Sequence, residues 1–373
     1  LMKKAITVLA PSFVLTSILA IASGLSAFAA AFPELSLATV QMLTALPSLI
    51  GMPIILLSGA LCSCFSKKGI VTASISLMII GGLGPLLFHN AFYQLVVFSV
   101  LFGIGFGGIS PLTTALIREH FSANQQQTML GYQSAVIGIG GALFSFLGGK
   151  LASDCWWHAY FAYLLLLPVL FLILLQPAGE PQTQRQSAYR SICSGDLPFY
   201  LCQSVLFAML FFAFQNNVAL LLEHRALGNT SVSGRILAVQ STVGILSGAL
   251  GGRILSKLKK FALPAVFLVS GFAMLLSYFG SHISFFYLAA AMLGFVFSLR
   301  MPAGYLKATA SVDPSQATMA IALYCGSSSL GQFLSPICVN ALSVSLDGRL
   351  GLSALALLAA GVASVCFELR KHP

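Results

Sequence analysis

Uncharged apolar runs recur along this chain at a length that crosses a lipid bilayer, and this feature limits its fold more than any other. Phe161 to Leu175 is one such run without a single charged side chain, and only 8% of the 373 residues are charged, against roughly a quarter in soluble proteins. An apolar bilayer core about 30 Å thick takes about 20 residues of helix. Twelve spans would therefore use roughly 240 residues and leave short loops, with no room for a separate soluble domain. A membrane β-barrel would show short strands alternating apolar and polar residues, which these runs do not. Helices also satisfy their own backbone hydrogen bonds in lipid. The expected fold is all-α, with twelve transmembrane helices.

The first run, Ala5 to Phe32, follows Lys3 and Lys4 and ends in the small residues Ala27 to Ala31. That ending resembles a signal-peptide cleavage site. The apolar stretch is nearly twice the usual length of about 7 to 15 residues, so we read a retained first helix. Further helices are expected at 37–65, 70–90, 92–117, 127–149, 156–176, 198–222, 231–255, 261–281, 284–306, 316–345 and 350–367. With the N-terminus in the cytoplasm, fifteen Lys and Arg fall on the inner side, Arg300 being counted with its nearest loop. Only Lys150, Arg225, Arg235 and Arg349 fall outside. The positive-inside rule then puts both termini in the cytoplasm.

The longest polar interruption, Gln176 to Asp196, follows the sixth helix and reads as a linker. It divides the chain into an N-terminal six-helix bundle (1–176), a cytoplasmic linker (177–197) and a C-terminal six-helix bundle (198–373). Matched landmarks support a repeat. Gly103-Ile-Gly-Phe-Gly-Gly-Ile-Ser-Pro111 in the fourth helix answers Gly294-Phe-Val-Phe-Ser-Leu-Arg-Met-Pro302 in the tenth, at an offset of 191 residues. Thr128-Met129 and Gly141 answer Thr318-Met319 and Gly331 at an offset of 190, and Gly59 to Lys68 answers Gly252 to Lys260 at 193. Two halves in parallel orientation are a repeat plan of secondary transporters.

With these features the chain resembles the major facilitator superfamily over essentially its whole length. The signature that this family carries between helices two and three is matched by Gly59, Leu61, Lys67 and Lys68, and its echo by Gly252, Ile254, Lys257 and Lys260. The signature's acidic position holds Ser63 in one half and Ser256 in the other. Gln41-Met-Leu-Thr-Ala-Leu-Pro47 and the Trp156-Trp157 start of helix six also look like family patterns. The resemblance implies two pseudo-symmetric six-helix bundles that rock about a central cavity. It further implies gating by Gly59, Ser63, Lys67, Lys68, Ser256 and Lys260, and a cavity surrounded by helices one, four, seven and ten.

Arg300 is the most informative side chain. A cation at the centre of a spanning helix costs about 2.5 to 3.5 kcal/mol, and its repeat counterpart, Ile109, is apolar. Two readings stand. Arg300 faces the cavity and holds an anionic group of the substrate, or it snorkels to the cytoplasmic surface or binds carbonyls at a helix end. Among neutral polar groups, Gln41, Gln133, Asn216, Asn217, Gln240, Tyr324 and Gln332 are candidates to line the cavity, with Asn216 and Asn217 favoured by their place on helix seven. Glu223, His224 and Arg225 form either an outer cap or a solvated loop. None of the nine acids is expected deep in a span, which leaves the coupling mode open.

The eight cysteines include no C-x-x-C pair and read as small apolar fillers. Gly103-x-Gly105-x-x-Gly108 spells a dinucleotide fingerprint, but it lies within a membrane helix and follows no strand. The six histidines are scattered over separate loops and helix ends, so neither an enzyme nor a metal or cofactor site is expected. The net charge of +10 is spread in small clusters between spans, which speaks for topology and against nucleic-acid binding. The expectation is a monomeric secondary transporter of a small organic solute in the inner (plasma) membrane, contacting membrane lipid. Efflux of an amphipathic, drug-like compound is preferred over uptake or exchange of an anionic metabolite through Arg300, with a non-transporting membrane sensor as the alternative from another class.

Overall fold

The computed structural model describes residues 2–175, 195–313, 316–342 and 345–371. Most of the expected linker lies outside the described residues. Among those described, twelve spanning helices follow in order. The first, α1, runs over residues 2–31 in short segments, and α2 is Leu37–Cys64. Next come α3 (Lys67–Leu83, extended by a 3-10 turn), α4 (Phe92–His120), α5 (Ala123–Ala152) and α6 (residues 156–174). The second half holds α7 (Leu197–His224), α8 (Thr230–Leu258), α9 (Ala262–Phe279), α10 (Ile283–Ala310), α11 (Ala317–Leu342) and α12 (Leu346–Lys371). Ten described runs are long and apolar enough to cross a membrane, and one of them, Thr230–Phe279, holds both α8 and α9. Only α11, rich in Ser and Gly, lies outside those runs.

The breaks in α1 have local causes. Pro11 opens a 3-10 segment, Ala10–Thr16, because it lacks the N–H that an α-helix would use there. Ser17 then diverts its hydroxyl hydrogen onto the Val14 carbonyl three residues back at 2.6 Å, while Thr16 Oγ1 donates outward to the Ile137 carbonyl of α5 at 2.9 Å. A local bond like that of Ser17 competes with helical bonding. The broken helix still packs into the first bundle, with Val14, Ala20 and Phe28 fully buried.

The helix contacts repeat between the halves. A Cβ on Gly103 of α4 would press on the Pro47 backbone of α2, and one on Gly294 of α10 would press on the Gln240 backbone of α8. Pro47 and Gln240 are 193 residues apart, close to the 191 that separates the two glycines. Likewise Gly140 of α5 seats on the carbonyl of Phe13, as Gly331 of α11 does on that of Val205. The packing counterpart of Gly331 is thus Gly140, one residue from the Gly141 that sequence matching pairs with it.

The halves meet along two seams, α5 against α8 and α2 against α11. In the first, Gly149 and Gly234 bring the backbones together at the end that holds the 5–6 and 7–8 connections, and Gly138 and Ser134 continue the row. A Cβ on Gly131, the next residue in that row, would meet nothing within 4 Å among the described residues. The seam is therefore closed at the end of the 1–2, 5–6, 7–8 and 11–12 connections and parted at the other.

Candidate functional site

A cavity of about 220 Å³ lies between the halves. Its walls differ in chemistry. The first half contributes mainly apolar groups, among them Leu15, Ile18, Ile55, Phe102 and Phe106, whereas the second contributes Gln215, Gln240, Arg300, Tyr305, Ser328 and Gln332 among its polar groups.

Arg300 lies on this wall and is only 1% exposed. This burial excludes the snorkelling alternative. Its Nη2 donates to Ser328 Oγ at 2.5 Å and its Nη1 to Ser204 Oγ at 3.4 Å, while Nε has no partner among the described residues. The guanidinium carbon stands 5.1 Å from the Phe207 ring centre and 5.8 Å from that of Tyr324. The described ion pairs, Lys67–Glu119, Arg225–Asp347 and Lys307–Glu368, do not include it. A buried charge normally has an opposite partner. Here hydroxyls and aromatic faces surround the guanidinium, and an anion entering the cavity would complete its shell.

The other expected binding residues divide. Gln332 lines the cavity. Tyr324 is buried behind the wall, where its ring meets those of Tyr305 and Arg300's flank. Gln133 does not reach the cavity and donates to Thr114 Oγ1 at 3.4 Å. Nor do Asn216 and Asn217 line it, although α7 borders it through Phe212 and Gln215. A helix shows one face to the cavity, and these two asparagines, next in sequence to Gln215, are turned away from that face toward α2.

There they hold the halves together. Gln41 of α2 donates to the Asn216 carbonyl at 2.9 Å and to Asn217 Oδ1 at 3.2 Å, and accepts from Asn340 Nδ2 of α11 at 2.8 Å. Thr44 adds a bond to Asn216 Oδ1 at 3.1 Å, and Arg349 of α12 donates to Asn217 Oδ1 at 3.3 Å. Gln41 is 1% exposed, so opening this end must move its three bonds to water. At about 1 kcal/mol each, Gln41→Leu should shift the balance toward opening by about 3 kcal/mol, roughly a hundredfold. Hydrogen exchange in peptides covering the start of α2 and the end of α7 should quicken; unchanged exchange would rule out a latch.

The residues matched to the family signature lie at the parted end. Lys67 pairs with Glu119 of α4 at 2.7 Å, and Lys68 donates to the Leu174 carbonyl at 3.0 Å. The acid facing Lys67 thus comes from a neighbouring helix and not from the signature. Ser256 bonds its own helix at the Arg253 carbonyl, and Lys260 lies over the Phe261 ring. The side chains of Gly59 and Ser63 lie outside the described residues.

Two features escaped the sequence. Glu368, expected in the tail after a helix ending at 367, is 1% exposed because α12 continues to Lys371. It accepts from Lys307 Nζ at 2.6 Å and Tyr200 OH at 3.0 Å. Arg225 is no solvated loop residue: it pairs with Asp347 of α12 at 2.6 Å and donates to the carbonyls of Ser277, Tyr278 and Gly280, capping the end of α9 and tying it to α7 and α12. Neither partner set could be read without knowing which helix ends adjoin.

A family model described as Major Facilitator Superfamily matches residues 5–336. The chain belongs to this superfamily. Among solved structures, the POT family transporter PepTSo aligns over 99% of this chain and 98% of its own with a TM-score of 0.78 at 12% identity. A D-xylose-proton symporter aligns over 98% and 97% with a TM-score of 0.75 at 15% identity. These likenesses establish the twelve-helix superfamily fold. Citrate exporter 1 of Yarrowia lipolytica is 27% identical over 159 residues, 41% of this chain and 23% of that protein. Quinolone resistance protein NorB of Staphylococcus aureus is 24% identical over 149 residues, 40% of this chain and 32% of that protein. The matched region therefore spans less than a third of either relative. The chain is a multi-pass membrane protein of a transporter family.

Proposed function

We propose that this superfamily member is a monomeric secondary transporter that exports a small amphipathic organic anion by alternating access. The observation that carries this reading is Arg300, a buried cation on the cavity wall without a carboxylate partner among the described residues. The apolar face of the first half would cover the hydrophobic body of the molecule, and Arg300 would hold its acidic group. This unites the amphipathic-efflux and anion readings of the sequence. The excess of Lys and Arg on one set of loops supports a cytoplasmic-membrane location with both termini inside. The parted end then faces the cytoplasm, where an exported molecule enters. The relatives named as a citrate exporter and a quinolone resistance protein are consistent with outward movement.

The test is a thermal-shift screen of the purified protein with carboxylates and with neutral and cationic amphiphiles of equal size, since a ligand of the native state raises its stability. Carboxylates should stabilise the wild type. Arg300→Ala should weaken their binding by roughly 10- to 100-fold, the equivalent of losing a hydrogen bond to a charged group worth about 1.5–3 kcal/mol. Arg300→Lys should restore part of it, because the charge returns without the planar fork. Equal binding of every carboxylate by wild type and Arg300→Ala would refute the proposal.

A further inference from the structure

Two buried hydrogen-bond donors on the cavity wall lack an acceptor among the described residues. One is Arg300 Nε, and the other is Nε2 of Gln240, a residue 4% exposed. Gln240 uses its carbonyl oxygen to accept from Gln215 Nε2 at 3.3 Å, which leaves its own amide hydrogens unassigned. An unmet buried donor costs about 1–3 kcal/mol, and native proteins keep few of them.

Packing does not require either side chain. In the first half, which packs by the same plan, the counterpart of Arg300 is Ile109 and that of Gln240 is Pro47. Gly294 rests on the backbone of Gln240, so the α8–α10 contact does not depend on the amide. What the two donors share is the cavity, and both break the repeat on the same side of it. They also lie at different depths. Arg300 is six residues beyond Gly294 on α10, a rise of about 9 Å, and Gln240 abuts Gly294.

We infer that Gln240 is a second anchor for the transported molecule. Its substrate class is an organic anion that also carries a neutral acceptor, such as a ketone or amide oxygen, several bonds from the acidic group. The acid engages Arg300 and the distant oxygen engages the Gln240 amide. Both nitrogens are covered in this conformation, so the molecule meets them after rotation of the terminal side-chain torsions. This inference rests on the proposed role of Arg300.

The test compares octanoate with its keto analogue of equal length, the carbonyl on the penultimate carbon, using the full chain in detergent. A site built to hydrogen-bond an oxygen rejects an analogue without it, so the wild type should bind the keto acid at least about tenfold more tightly. Gln240→Leu should abolish that preference, and Gln240→Met, closer in shape but without the amide, should do the same if the leucine variant folds poorly. A preference that survives in both variants, or none in the wild type, overturns the inference. If the wild type binds both acids equally and Arg300→Ala loses both, the role of Arg300 stands and that of Gln240 falls. If neither acid binds the wild type, or Arg300→Ala binds both as well, the role of Arg300 falls and this inference with it.

Discussion

Gly149→Leu should leave both bundles folded and abolish transport. Gly149 lies on α5 and faces α8 across the closed end, where a Cβ would sit 2.5 Å from the Thr230 carbonyl oxygen and 2.7 Å from Gly234 Cα. The obstacle is helix backbone, which cannot turn aside as a flexible side chain can. A leucine would hold the halves apart at this end and keep the protein open there, whatever the latch around Gln41 contributes. Within each bundle the residue does little, because α5 packs on α1 through other positions, Gly140 and Gly148. Proteoliposome flux should therefore fall to background while a cooperative thermal transition persists. Hydrogen exchange near Thr230 and Gly234 should quicken. Gly131→Leu, whose added Cβ meets nothing within 4 Å among the described residues, controls for a leucine on this face of α5. Retained flux in Gly149→Leu would show that this end does not need to close.

Gly294→Leu should instead damage the fold. Its Cβ would overlap the Gln240 carbonyl, and the contact lies inside the C-terminal bundle, where α8 and α10 stay together in any rocking motion. Overpacking a close-packed core costs typically about 1–3 kcal/mol, and a clash with backbone belongs at the upper end or beyond. The melting midpoint should drop by several degrees and expression should fall. Because the obstacle is backbone, adding Gln240→Ala should not rescue it. Rescue by that second change would place the clash on the side chain and contradict the packing described here.

These two glycines show what sequence reading could and could not reach. Gly294 was visible as the repeat partner of Gly103, since close helix approach leaves a small residue at a fixed interval from a proline. The same glycine-rich pattern does not tell a contact within a bundle from one between bundles, so the different role of Gly149 was not legible. Polar residues posed the same difficulty. Asn216 and Asn217 lie on the expected helix, yet the helix turns them to the seam, while Gln215, their immediate neighbour, faces the cavity. A residue's angle around a helix depends on its packing partners, and a span apolar on nearly all sides carries little periodicity from which to read it.

The chain's own composition and order were enough to determine that it crosses a membrane as helices, that there are twelve, and that they form two parallel halves. Those properties follow from run length, charge placement and repeated landmarks, all of which are local or one-dimensional. Tertiary structure alone decided that Arg300 is buried beside a cavity without a carboxylate partner among the described residues, that Gln41 latches the two halves, and that Glu368 is enclosed by Lys307 and Tyr200. Each depends on side chains from helices distant in sequence meeting at one depth, and no single segment carries that information.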